Sequence, residues 1–222
     1  MRAIDLLAPP GCGLCLAGPG PLCAGCLRAL PLLDGPRCVR CGTPTLREVA
    51  ECRACRGRRL GFATARAAVV YAGRARQLVH AFKDGGQRGL AGPAAALVAM
   101  VVEPPAADVV TWVAADRWRL IHRGYHPPEL LARRLAAAWT LPAEGLLEAT
   151  GWRRPQRGLK PAERRANARG AFRARPAGAR RILLVDDVHT TGATLSAAAA
   201  ALRRAGAGEV HAVALARAVE GS

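Results

Sequence analysis

From about residue 60 onward, short apolar runs alternate with longer stretches of mixed character, whereas the first 60 residues show almost no periodicity. Val109–Ala114 is a nearly continuous apolar run, the pattern of a parallel strand buried on both faces. Arg66–Tyr71, Ile182–Val185 and Val210–Leu215 read as further strands. Arg74–Phe82, Leu90–Val102, Pro128–Trp139 and Thr194–Ala205 read as helices. In the third helix Leu130, Leu131, Leu135 and Trp139 share one face, and Gly206 closes the fourth. Strands alternating with helices predict an α/β domain, a mostly parallel sheet flanked by helices. The change of pattern places a boundary near residue 60, dividing the chain into 1–60 and 61–222.

All eight cysteines lie before that boundary, as Cys12-x2-Cys15, Cys23-x2-Cys26, Cys38-x2-Cys41 and Cys52-x2-Cys55. A C-x2-C turn offers two thiolates to one tetrahedral ion, and two such turns complete a closed structural zinc site. Spacers of seven residues between the first two pairs and ten between the last two suit two short ribbons in series, with a crossed brace as the other arrangement. A disulfide framework is the alternative chemistry, and it needs an oxidising compartment that nothing else in the sequence suggests. Two structural zinc ions are therefore expected. They fold a segment too small to build its own core, and the ribbons can also carry a surface for nucleic acid or protein.

Composition sharpens this picture in two ways. Hydrophobic residues make up 51% of 222 residues, enough for a real core, and the formal net charge is +17. Two tetrathiolate zinc centres, each carrying about −2, leave the chain strongly basic, which favours anionic partners such as phosphates or nucleic acid. Cationic side chains are almost all arginine, and lysine occurs only at Lys83 and Lys160. The N-terminus lacks the hydrophobic run of a signal peptide, and Ala91–Val102 and Ala193–Ala205 are too short or too polar-flanked to span a bilayer. A soluble cytoplasmic protein without membrane insertion is expected.

The segment that carries chemistry is Arg181–Leu195, RILLVDDVHTTGATL. An apolar strand delivers Asp186 and Asp187 to the carboxyl edge of a parallel sheet, where ligands of α/β proteins bind. Thr190, Thr191, Gly192, Ala193 and Thr194 then turn into a helix whose first N–H groups and dipole attract phosphate. Carboxylates repel a bare phosphate, but they accept hydrogen bonds from sugar hydroxyls and help to neutralise Mg²⁺. A ribose 5-phosphate satisfies both halves, its diol on Asp186 and Asp187 and its phosphate in the threonine turn. A strand-to-helix turn with an Asp and a Thr cap would explain only one residue of each kind. His189, inside the segment, is expected to be exposed beside the ligand, and His80, His122, His126 and His211 lack metal-ligand spacing.

This string resembles the phosphoribosyl pyrophosphate (PRPP) binding motif of type I phosphoribosyltransferases. The resemblance implies that fold, binding of PRPP with Mg²⁺ through Asp186, Asp187, Val188, His189, Thr190, Thr191, Gly192, Ala193 and Thr194, and a catalytic part for the two acids. Together with the cysteine pairs, the runs Tyr71-Ala-Gly-Arg, His80-Ala-Phe-Lys83, Arg119-Leu-Ile-His-Arg-Gly-Tyr125, Arg154-Pro-Gln-Arg-Gly-Leu159 and Glu163-Arg-Arg-Ala-Asn167 resemble the ComF family, associated with competence and DNA uptake. By the same resemblance Arg117, Arg119 and Arg123 are candidates to hold pyrophosphate. The chain departs from the family at Ala114, often proline, and at Gly124-Tyr-His-Pro127. Arg153–Arg175, with eight arginines and Lys160 against Glu163, suits a lid over PRPP or a contact for single-stranded DNA. Two functions follow: an enzyme that consumes PRPP, or a catalytically inactive nucleotide-sensing module that engages DNA or uptake proteins.

Overall fold

The computed structural model describes residues 11–150 and 170–219. Its framework is a four-stranded sheet in the order β1 (Thr64–Val70), β6 (Glu209–Arg217), β5 (Arg181–His189), β2 (Val109–Trp112), with every neighbouring pair parallel. Residues of β5 alternate between two packing layers, as the period of a strand dictates. Leu183 and Val185 pack with α2 (Gly73–Lys83), α3 (Ala91–Val101) and α5 (Pro127–Ala138). Ile182 and Leu184 pack with α6 (Ala193–Arg204). Burial on both faces is why these strands read as continuous apolar runs.

The strand at the motif is longer than its apolar run. It extends beyond Val185 through both acids, because β6 continues beside it and pairs Asp186 with Ala214, Val188 with Ala216 and His189 with Arg217. Three further elements were not expected from periodicity. Arg117–Arg123 forms a short helix, α4, and Gly124, in the left-handed region at φ +65°, ends it. Leu147–Ala149 (β3) and Phe172–Ala174 (β4) pair antiparallel, and three-residue strands are too short to show a period. The Arg153–Arg175 reading falls mainly outside the described residues, and its end supplies β4.

Both edges of the sheet are covered. Along β1, Leu32 bridges antiparallel to Val69, Leu33 N–H donates to the Ala68 carbonyl at 2.8 Å and Val70 N–H to that of Pro31 at 2.8 Å. Along β2, Ala143 bridges Val110, which donates to Pro142 and accepts from Glu144, both at 2.9 Å. The segment over β1 lies between the second and third cysteine pairs, and its Leu30 enters the main core. Among the described residues of the cysteine-rich part lies one short helix, α1 (Ala24–Arg28).

Candidate functional site

The two acids are buried at the carboxyl edge, Asp186 at 7% and Asp187 at 5% exposure. Alternation along β5 turns Asp187 toward α2, whose last residue, Lys83, places Nζ 2.6 Å from Asp187 Oδ2. The Asp187 N–H donates to Asp186 Oδ1 at 2.9 Å. Burial pushes Asp186 up to about 8, helped by the neighbouring Asp187 charge and only partly opposed by Lys83. Burial also acts against ionisation of Asp187, but Lys83 outweighs it and holds that carboxyl below its usual range. Lys83 is desolvated too, and Asp187 keeps it firmly protonated. The edge thus holds an ammonium–carboxylate pair beside an acid whose burial favours its neutral form. Sequence reasoning did not include Lys83 in the site. Its signal was there: one of two lysines in a chain that otherwise uses arginine.

Beyond β5 the chain turns through Thr190 and Thr191 to Gly192, the cap of α6, at φ +72° and ψ 6°. Only glycine adopts this conformation without strain. Thr190, Thr191 and Thr194 are half-buried, Ala193 N–H donates to Thr191 Oγ1 at 3.4 Å, and the cap residue Gly192 itself offers no side chain. Val188 packs against the core. His189 corrects the sequence reading: it is 2% exposed, edge-on to Phe62 at 6.1 Å, with Arg217 Nη1 at 2.7 Å from Nδ1 and 2.9 Å from Nε2. Its register partner Arg217 draws it inward, and neither burial nor the charges of Arg217 and Arg58 tolerates a second ring proton, so it is neutral.

The cysteines gather into two sets, Cys12, Cys15, Cys23 and Cys26, and Cys38, Cys41, Cys52 and Cys55, with the sulfurs of each set within 4.8 Å of one another. Sulfur pairs stand at 3.6 Å in the first set and 3.5–3.7 Å in the second. A tetrahedral ion with Zn–S bonds of about 2.3 Å needs edges of about 3.8 Å. All eight thiols are free. Desolvation acts against ionisation of Cys12, yet N–H donors from Cys23, Cys15 and Leu14 outweigh it and lower that thiol to about 6. Burial and the crowded sulfurs push Cys26 up to about 12. Four such thiols ionise together only around a cation. The two sets fit two structural zinc ions.

Residues 3–56 match the double zinc ribbon domain, and residues 176–221 match the phosphoribosyl transferase domain. Competence protein F of Haemophilus influenzae is 36% identical over 107 residues, which is 46% of this chain and 45% of that protein. The chain thus resembles Competence protein F and joins a double zinc ribbon match to a phosphoribosyl transferase domain match. The match spans less than half of that curated relative. Among solved structures, a glutamine PRPP amidotransferase from B. subtilis complexed with ADP and GMP aligns with a TM-score of 0.40 at 24% identity, over 57% of this chain and 26% of that one. An allosteric regulatory enzyme of purine biosynthesis gives 0.39 at 23%, over the same shares.

Of the three candidate arginines, only Arg123 has a described side chain. The side chains of Arg117 and Arg119 lie outside the described residues. Arg123 donates to Asp84 at 2.9 Å, one residue beyond Lys83. The divergent Gly124-Tyr-His-Pro127 run is an anchor for this corner. Tyr125 donates to the Phe82 carbonyl, Arg88 stacks on the Tyr125 ring at 5.0 Å and donates to the Gly124 carbonyl at 2.8 Å, and His126 is buried beside Glu129. These contacts pin the start of α5 to the end of α2 and so help to hold Lys83 at the acids.

Proposed function

We propose that this protein binds PRPP, or a nucleotide that carries ribose 5-phosphate, together with Mg²⁺ at Asp186–Thr194, as a phosphoribosyltransferase. The observation that carries the reading is the pairing of buried acids with a glycine-opened helix start on one strand–turn–helix unit. The acids accept the ribose hydroxyls. Amides of the α6 start and the threonine hydroxyls donate to the 5-phosphate. Lys83 supplies a fixed cation at the edge where a second anionic group approaches. Cations aimed at leaving pyrophosphate stabilise the transition state more than the ground state. Mg²⁺ would supply further charge neutralisation there, and Asp186 and Asp187 are the residues to hold it.

The reading also takes residues 1–60 as the ribbon part and 61–222 as the transferase part, acting in the cytoplasm, where free thiols stay reduced. No helix among the described residues is long and apolar enough to cross a membrane. The name of the Haemophilus relative supports a link to competence, and a net charge of +17 supports contact with single-stranded DNA or with DNA-uptake proteins. Titration calorimetry with PRPP, with and without Mg²⁺, tests the site. Binding should require the metal and fall at least about tenfold, or 1.4 kcal/mol, in Asp186→Asn/Asp187→Asn. A parent that ignores PRPP would move the function to the basic surface, as a DNA- or protein-binding module.

A further inference from the structure

We propose that Arg217 is a positioning residue through which the second cysteine cluster, once metallated, sets the shape of the Thr190–Thr194 turn. The inference rests on the PRPP reading only for what the turn holds. Arg217 closes β6 and stands in register with His189 at the end of β5. It is 6% exposed, its Nε has no partner, and its fork spans two parts of the molecule. Nη2 meets Thr43 Oγ1 and lies 3.8 Å from Cys41 Sγ, while Nη1 meets the His189 ring. Burying a guanidinium with an unpaired N–H is unfavourable unless a compensating charge lies close. The four thiolates provide it, and a guanidinium donating to a ligand sulfur is the kind of outer contact that orients a metal site.

The contact continues into the turn. A β-carbon at Gly192 would stand 2.8 Å from His189 Nε2, so the ring lies directly beneath the residue that opens α6. Glycine at 192 therefore admits His189 as well as a positive φ. A second connection leaves the same ribbon: Arg58, three residues after Cys55, donates to the Thr191 carbonyl at 3.2 Å. The turn is gripped from beneath by His189 and from the side by Arg58, and both grips lead back to Cys38–Cys55. The first cluster's ribbon instead meets Gln87, which donates to the Gly13 carbonyl at 3.2 Å at the α2–α3 connection.

The test uses the full zinc-loaded chain and the variants Arg217→Met, Arg217→Lys and Thr43→Val. Zinc content is measured by release to a chromogenic chelator, the turn by the Gly192 amide resonance, and binding by titration with ribose 5-phosphate. Arg217→Met should retain its zinc, shift Gly192 while leaving Gly206 at the far end of α6 in place, and weaken ribose 5-phosphate about tenfold. Arg217→Lys should restore part of both, since an ammonium reaches the sulfur or the ring but not both. Thr43→Val removes a hydroxyl that meets both the guanidinium and, at 3.1 Å, Cys41 Sγ; with zinc content unchanged it should move Gly192 in the same direction by less, which keeps the test open if Arg217→Met does not fold. Unmoved Gly192 in zinc-loaded variants overturns the coupling. A parent that fails to bind ribose 5-phosphate counts against the PRPP reading alone, because the Gly192 resonance reports the coupling without ligand.

Discussion

The two cysteine clusters have the same ligands and spacing type, yet they are joined to the rest of the molecule in different ways. The first meets the α2–α3 connection through backbone and a flexible glutamine. The second faces a buried arginine and the turn that opens α6. One motif, used twice, thus serves once as an attachment and once as a foundation. The metal chemistry does not distinguish them. What does is which part of the fold each one lies against.

The sharpest way to break this contrast is to remove one ligand from each. Cys38→Ser should lower zinc stoichiometry by one and strongly destabilise the α/β sheet and its helices, since a buried cation stripped of its counter-charge costs about 3–5 kcal/mol. Cys15→Ser should lose one zinc with a much smaller drop in melting temperature. Equal drops would erase the distinction.

A milder contrast uses the joints themselves. A β-carbon at Gly61, just after the second ribbon, would stand 2.3 Å from the Ser196 carbonyl oxygen and 2.6 Å from Ala200 N, both backbone atoms of α6. At Gly13 it would meet the movable Gln87 Oε1 at 1.9 Å. Gly61→Ala should therefore cost about 2 kcal/mol, or roughly 4–8 °C, and Gly13→Ala less than about 1 kcal/mol, read by thermal unfolding.

The last effect is electrostatic and is read as a dependence on pH. Asp186 is raised to about 8 in the fold, so the folded state holds a proton that the unfolded state has lost, and stability declines as pH rises from about 4 toward 8. Asp187 is shifted the other way, and its contribution disappears only as pH falls below the usual carboxylate range. In melting curves between pH 5 and 9, Asp186→Asn should gain on the parent by about 1–3 kcal/mol as pH rises, then hold steady. The same gain should survive loss of the first cluster. A flat difference would mean that Asp186 is ionised throughout.

Much of the architecture was legible because it is written in local patterns. The apolar runs of β2, β5 and β6, the amphipathic face of α5 and the C-x2-C turns each carry their signal within a dozen residues. The acids and the threonine–glycine turn could be read for the same reason. Lys83, Arg217 and the burial of His189 could not, because they depend on which element ends beside which. Lys83 reaches Asp187 across 104 positions of sequence. His189 is drawn inward by a partner that only the parallel register of β5 and β6 supplies. The three-residue strands β3 and β4 are likewise fixed by each other and by no pattern of their own.

The strip over β1 gives the zinc ions a role in the chain's colloidal fate. Leu30–Leu33 is suspended between the two clusters and occupies hydrogen-bonding groups that an open strand edge would offer to another molecule. A chain starved of metal loses the tethers at both ends of that strip. Its β1 edge then becomes a template for neighbours, and zinc depletion should appear as aggregation before it appears as loss of the sheet.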